Sequence, residues 1–221
     1  MAIAENGPGG RHRGRIGNIV YYMLGETNVA RGVGITTKAS TQAQLRQKLI
    51  TKMRSELLRD LLDFVNTGFS IEAMQHSDNG FNRAVKNNPG IITGIYPDLE
   101  IAYDQVLLSK GRLNPAQNWK VNLVEAGLEY TWDTDPQMPW PQATDQVMLL
   151  AYFPQQQKVF YTLFGNSRLS GSDFLEIPPS LQDKYMETYM SFISADRKQL
   201  SDSIYTGSFN SDNKENKPLK S

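Results

Sequence analysis

The chain is predicted to be α+β and mainly β, with an N-terminal glycine-rich arm and hairpin, one long amphipathic helix and a C-terminal antiparallel β-sandwich. Three observations predict this. Apolar residues recur at three- and four-residue spacing from Leu45 to Val65. From Trp119 to Phe209 about seven short runs of strand composition follow one another between turn signals. Before both, residues 6–34 are so punctuated by glycine and arginine that they build no core of their own. The expected segments are 1–40 (arm and hairpin), 41–115 (helix and connecting strands), 116–209 (sandwich) and 210–221 (polar tail).

In the arm, Ile19-Val-Tyr-Tyr-Met-Leu24 has the β-branched and aromatic character of a strand. Gly25-Glu26 is a turn signal and Thr27 to Val33 a second run, so the pair reads as a hairpin. An isolated two-stranded hairpin is marginal in water. It therefore docks on a sheet of its own chain or adds a strand to a neighbouring copy. Arg11, Arg13 and Arg15 make the arm basic. They suit either an acidic face of another copy or a phosphate backbone, with Tyr21 and Tyr22 available to pack or to stack on bases.

The helix opens at Thr41, with Gln44 three residues on as in a capping box. Leu45, Leu49, Met53, Leu57, Leu58, Leu61, Leu62 and Val65 form its apolar stripe; Arg46, Lys48, Lys52, Arg54 and Arg59 supply a basic solvent side. Gly68 is the expected C-terminal cap. The stripe implies that the helix lies across a sheet or other helices. A second short helix is expected at residues 81–86, ended by Asn87-Asn-Pro-Gly90. Residues 99–103 and 105–109 read as short strands.

In the sandwich the expected strands are centred on Trp119 to Leu123, Leu128 to Trp132, Gln146 to Phe153, Val159 to Phe164, Phe174 to Ile177, Tyr185 to Ile193 and Leu200 to Phe209. Gln146 to Phe153 is apolar on both faces, as a central strand must be. Pro139-Trp140-Pro141 sets a tryptophan in a proline-rich loop, either closing one end of the sandwich or anchoring a subunit contact.

Formal charge is zero overall but lopsided: residues 1–59 hold ten Lys or Arg against three Glu, leaving thirteen basic and twenty acidic residues in the remainder. Such asymmetry suits head-to-tail contact between copies, an anionic partner, or neutralisation within one molecule. With no cysteine there is no disulfide or thiolate metal site. No Walker-type nucleotide loop occurs. His12 and His76 are the two histidines, one in the arm and one in a polar loop, and neither suggests a positioned general base. Asp133, Asp135 and Asp145 flank the proline-rich loop without a calcium-loop pattern. The expectation is no catalytic residue, no metal and no cofactor. No apolar run reaches membrane-spanning length, and no conventional secretory signal is evident at the N-terminus, so the expectation is the cytoplasm, with extracellular assembly by an unseen export or lysis route as the alternative.

The chain resembles an uncharacterised bacterial family common in Bacteroidota. The matching pieces include Asn6-Gly7, Gly10, Gly14, Gly17-Asn18, Gly25, Arg31, Thr41-Gln-Ala-Gln44, Gly68-Phe69, Gly94-Ile-Tyr-Pro97, Thr144-Asp145-Gln146 and the 201–207 stretch. The Trp132-bearing strand, the long central strand and the Tyr-rich strand, with Tyr185 or Tyr189 as a corner tyrosine, resemble a fibronectin type III module. The function expected is a non-enzymatic structural protein that self-assembles into a filament, tube or virion-like particle. Its candidate contacts are Arg11, Arg13, Arg15, Ile19, Tyr21, Tyr22, Lys48, Arg54 and Trp140. The alternatives are a nucleic-acid or anionic-polymer binder and a monomeric protein- or carbohydrate-binding module.

Overall fold

Strand β9 (Gln146–Phe153) is covered on both faces, and the layers of the larger unit follow from that. The computed structural model describes residues 2–5, 10–34 and 38–211, and the chain divides into two units, Met1–Gln42 and Ala43–Ser221. The predicted tail, 210–221, lies outside the described residues from 212 onward, as does the Asn6-Gly7 motif.

In the larger unit all seven predicted sandwich strands form. β7 (Lys120–Val124), β8 (Gly127–Thr131) and β11 (Ser172–Glu176) make a three-stranded antiparallel sheet ordered β11-β8-β7. β10 (Lys158–Thr162), β9, β12 (Met186–Ile193) and β13 (Ile204–Phe209) make a four-stranded sheet in that order. Between the two sheets lie Leu128, Tyr130, Trp132, Val147, Leu149, Phe153, Met190 and Phe192. Alternate residues of the same central strands, Met148, Leu150, Tyr152, Tyr189 and Ile193, face the other way and pack with the helices. The apolar helical stripe thus lies across a sheet, as its periodicity predicts. The segments 41–115 and 116–209 are layers of one unit.

The long helix is kinked. α1 (Gln42–Asp60) starts just after Thr41, and α2 (Leu62–Gly68) and α3 (Ser70–Gln75) follow it. Bonds from Leu61 N–H to Leu57, Val65 to Leu61, Phe69 to Val65 and Ala73 to Phe69 carry the i−4 pattern across both breaks. Gly68 is therefore not the terminal cap expected from the sequence. A Cβ there would come within 2.3 Å of the Leu108 carbonyl oxygen, so glycine serves close packing of the helix on the chain that follows. α4 (Gly80–Asn87) matches the expected second helix and is capped by Asn79, whose side chain accepts from the Asn82 N–H at 2.8 Å.

β5 (Ile92–Ile95) and β6 (Asp98–Ile101) form a hairpin. The strand expected at residues 105–109 does not form. Its backbone groups are satisfied by side chains: Leu107 N–H donates to Asn88 Oδ1 and Leu108 N–H to Ser203 Oγ, each at 2.8 Å.

The smaller unit is an antiparallel sheet ordered β1 (Ala2–Glu5), β2 (Arg11–Ile16), β3 (Ile19–Leu24) and β4 (Thr27–Gly32). The predicted β3–β4 hairpin is there, in register from Ile19 opposite Gly32 to Leu24 opposite Thr27. The arm holds more strand than expected. Gly17-Asn18 makes a two-residue turn that joins β2 to β3, with Gly17 at φ +57°.

Candidate binding surfaces

None of the described side chains in residues 10–34 is buried. Ile16 is 59% and Leu24 68% exposed, and Ile19 and Tyr22 are exposed beside them. β2 pairs with β3 only through Gly14, Arg15 and Ile16. Gly14 takes φ +118°, and the residues before it pair with β1 and not with β3. There Asn28 donates to the Gly10 carbonyl (2.9 Å) and accepts from the His12 N–H (3.2 Å), while the His12 ring lies 5.9 Å from that of Tyr21.

The basic residues of the sheet are exposed and partly committed locally. Arg11 pairs with Glu26 at 2.8 Å, Arg15 donates to the Gly17 carbonyl at 2.8 Å, and Arg31 sits 6.0 Å above the Tyr22 ring. Arg13 is exposed on β2. On α1, Lys48 is exposed, whereas Arg54 is half-buried and donates to the Asn88 carbonyl at 3.4 Å. Arg54 therefore belongs to helix packing, not to the basic solvent face assigned to it from periodicity.

Three loops meet at one end of the sandwich: β8–β9 (132–145), β10–β11 (163–171) and β12–β13 (194–203). A buried ion pair ties the first two. Arg168 Nε lies 3.2 Å from Asp145 Oδ2, its Nη2 donates to the Asn114 carbonyl at 2.7 Å, and its guanidinium stacks 3.7 Å from the Phe192 ring. Trp132 Nε1–H donates to the Arg168 carbonyl at 2.7 Å. Burial raises the Asp145 carboxyl above its ordinary range, and the guanidinium opposes that shift. Asp145 is thus committed to Arg168, while Asp133 accepts from Asn118 and Asp135 from the Gln137 N–H. The three carboxylates do not converge. Among the described residues no group of three or more His, Cys, Asp or Glu is placed to hold a metal ion.

Trp140 opens the short helix α5 (Trp140–Ala143) and is 79% exposed, so it does not close the sandwich. It lines a cavity of about 450 Å³ with Arg112, Asn114, Gln142, Thr144 and Gln199. A second cavity of about 450 Å³, lined by His76, Lys110, Arg112, Lys198 and Gln199 among others, adjoins it. Neither cavity is signalled by residue spacing. The clustering of sandwich loops at one end is the only clue that sequence offers.

Between sheet and helices lies a buried polar cluster that sequence reasoning missed. Glu187 accepts from the Tyr185 and Tyr205 hydroxyls, the latter at 2.7 Å. Tyr189 donates to the Tyr103 carbonyl at 2.7 Å and Tyr152 to Asp60 at 2.8 Å. The Tyr189 bond reaches 86 residues upstream, not the few residues spanned by a corner tyrosine. His76 Nδ1 lies 2.9 Å from the Glu72 carbonyl. No described helix is long and apolar enough to cross a membrane.

Compared with known proteins, residues 12–207 match the family of unknown function DUF6266. No curated protein and no solved structure matches the chain.

Proposed function

We propose, for a chain that belongs to the DUF6266 family, a role as a non-enzymatic structural subunit that associates with further copies of itself through its N-terminal sheet. The observation that carries this reading is the four-stranded sheet of Met1–Gln42, in which no described side chain is buried and Ile16, Ile19, Tyr22 and Leu24 are exposed. A sheet gains its stability by burying a face, and among its described side chains this one buries none.

A complementary surface exists on the larger unit. The outer face of β11-β8-β7 carries Phe174, 43% exposed, directly across from Glu129, with Glu176 and Val124 also exposed. Its two carboxylates outnumber its one ammonium group, Lys120, and with the exposed apolar residues they suit Arg13, Arg15 and the exposed aliphatics of a neighbour's sheet. Such a contact joins unlike surfaces and repeats to a ring or an open fibre. The strand order, three strands against four, supports the fibronectin type III-like reading of the sandwich. The non-enzymatic part of the reading is supported by both histidines: the His12 ring lies tilted against that of Tyr21 and His76 Nδ1 bonds the Glu72 carbonyl.

Deleting residues 1–34 tests the proposal by light scattering and negative-stain electron microscopy at low and moderate salt. The full chain is expected to form ordered multimers and the truncated chain to stay monomeric. A truncated chain that forms the same multimers, or a full chain that stays monomeric at both salts, overturns it.

A further inference from the structure

Beyond self-association, the geometry points to a ligand site for an acidic saccharide at the loop end of the sandwich. The two cavities share Arg112 and Gln199 in their walls, and together they make up the proposed groove. Its two parts differ in chemistry. One presents Lys110, Arg112 and Lys198. The other presents the open ring of Trp140 among Asn114, Gln142, Thr144 and Gln199.

Local charge balance selects an anion. Of the carboxylates lining the groove, Glu72 is engaged by Arg83, Asn87 and Lys110, whose ammonium also donates to Asn87 Oδ1, and Asp145 is engaged by the buried Arg168. That leaves Asp196, whose carboxylate accepts from Ser194 Oγ and the Lys198 N–H. With Lys110 engaged by Glu72 and Asn87, Arg112 and Lys198 face this one remaining carboxylate. A guanidinium and an ammonium group hold carboxylate or sulfate oxygens well.

The aromatic part selects a sugar. A pyranose packs its C–H face on an exposed aromatic face, and its hydroxyls need convergent amide and hydroxyl partners, which this wall supplies. A single-stranded nucleic acid stacks successive bases on successive aromatics. Here Trp140 and the imidazole of His76 are the aromatic rings of the lining, one in each cavity, with no row of successive stacking platforms. No residue of the site lies in Met1–Gln42, so the inference stands or falls independently of assembly through the arm.

Titration of the full chain with hexagalacturonate, followed by calorimetry and tryptophan fluorescence, tests it. Saturable binding is expected, with maltohexaose at least tenfold weaker. Trp140→Ala and Arg112→Ala are each expected to weaken binding at least tenfold, with unchanged circular dichroism because both side chains are exposed. Trp140→Phe keeps a flat ring and is expected to recover most of the affinity. The site is overturned if hexagalacturonate does not bind or if the neutral hexamer binds equally. Tighter binding of an oligodeoxythymidylate of equal charge, or unchanged affinity in both alanine variants, also overturns it.

Discussion

The two units of this chain handle the exposed sheet face in opposite ways. In Ala43–Ser221 the central strands β9 and β12 are covered on both sides, by helices on one and by a second sheet on the other, and every residue of β12 is buried. In Met1–Gln42 four strands of similar length pair in good register, yet no described side chain is buried. Hydrogen bonding is present in both; burial separates them. Backbone pairing contributes little net stability when water competes for the same groups, whereas apolar burial contributes about 25 cal/mol per Å². The larger unit therefore carries a buried core of its own, and the smaller one has no described buried side chain to supply one.

Alkaline pH sharpens that contrast most. Burial, then the nearby Glu187 or Asp60 carboxylates, holds Tyr103, Tyr189 and Tyr205 well above the ordinary phenol range. Burial, then the hydrogen bond to Asp60, does the same for Tyr152. The folded state thus favours the neutral phenols. Their contribution is complete below the unfolded value of about 10 and is lost as pH rises through the folded values. Absorbance at 295 nm and circular dichroism, followed together above pH 10, are expected to show these tyrosines ionising in one step with loss of the fold. Gradual ionisation within an intact fold contradicts the buried cluster.

Single substitutions come next. Phe64 is fully buried where helices meet the four-stranded sheet, so Phe64→Ala is expected to cost about 3–5 kcal/mol in urea unfolding. Tyr22→Ala in the exposed sheet is expected to stay within about 0.5 kcal/mol. Equal costs at the two positions break the comparison.

Glycines repeat the contrast on a smaller scale. A Cβ on Gly111 would meet the Leu200 carbonyl oxygen at 1.8 Å, backbone against backbone, so Gly111→Ala is expected to cost about 1–3 kcal/mol. A Cβ on Gly32 would meet nothing within 4 Å, and Gly32→Ala is expected to be neutral or to stabilise by about 0.5–1 kcal/mol. Thermal unfolding of both variants checks the pair.

The same physical difference governs what sequence makes legible. The doubly apolar run from Gln146 to Phe153 announces a central strand because burial on both faces leaves its mark on every residue. The stripe from Leu45 to Val65 likewise announces the helical layer, although its spacing does not show the breaks at Leu61 and Phe69. β2 escapes notice because Arg-His-Arg-Gly-Arg-Ile has no buried face to encode, and only the Gly17-Asn18 turn betrays it. Arg54 reads as solvent-facing because periodicity does not record that its guanidinium reaches Asn88. The groove at Trp140 is assembled from residues 112, 140 and 199, which only the sandwich brings together.

The smallest expected effect lies in the arm itself. Arg11 and Glu26 form a 2.8 Å ion pair between β2 and the β3–β4 turn, with both side chains largely in water. Exposed pairs of this kind contribute about 0.2–1 kcal/mol, because solvent screening and side-chain ordering offset most of the attraction. Arg11→Gln is therefore expected to leave the unfolding midpoint of the larger unit unchanged and the stability of the chain within about 0.5 kcal/mol. Its consequence belongs to association. Removing one positive charge from a surface proposed to meet Glu129 and Glu176 of a neighbour is expected to weaken multimers more at low salt than at high, as light scattering across a salt series reads directly. An Arg11→Gln chain whose multimers respond equally at all salts assigns the arm an apolar contact without an electrostatic one.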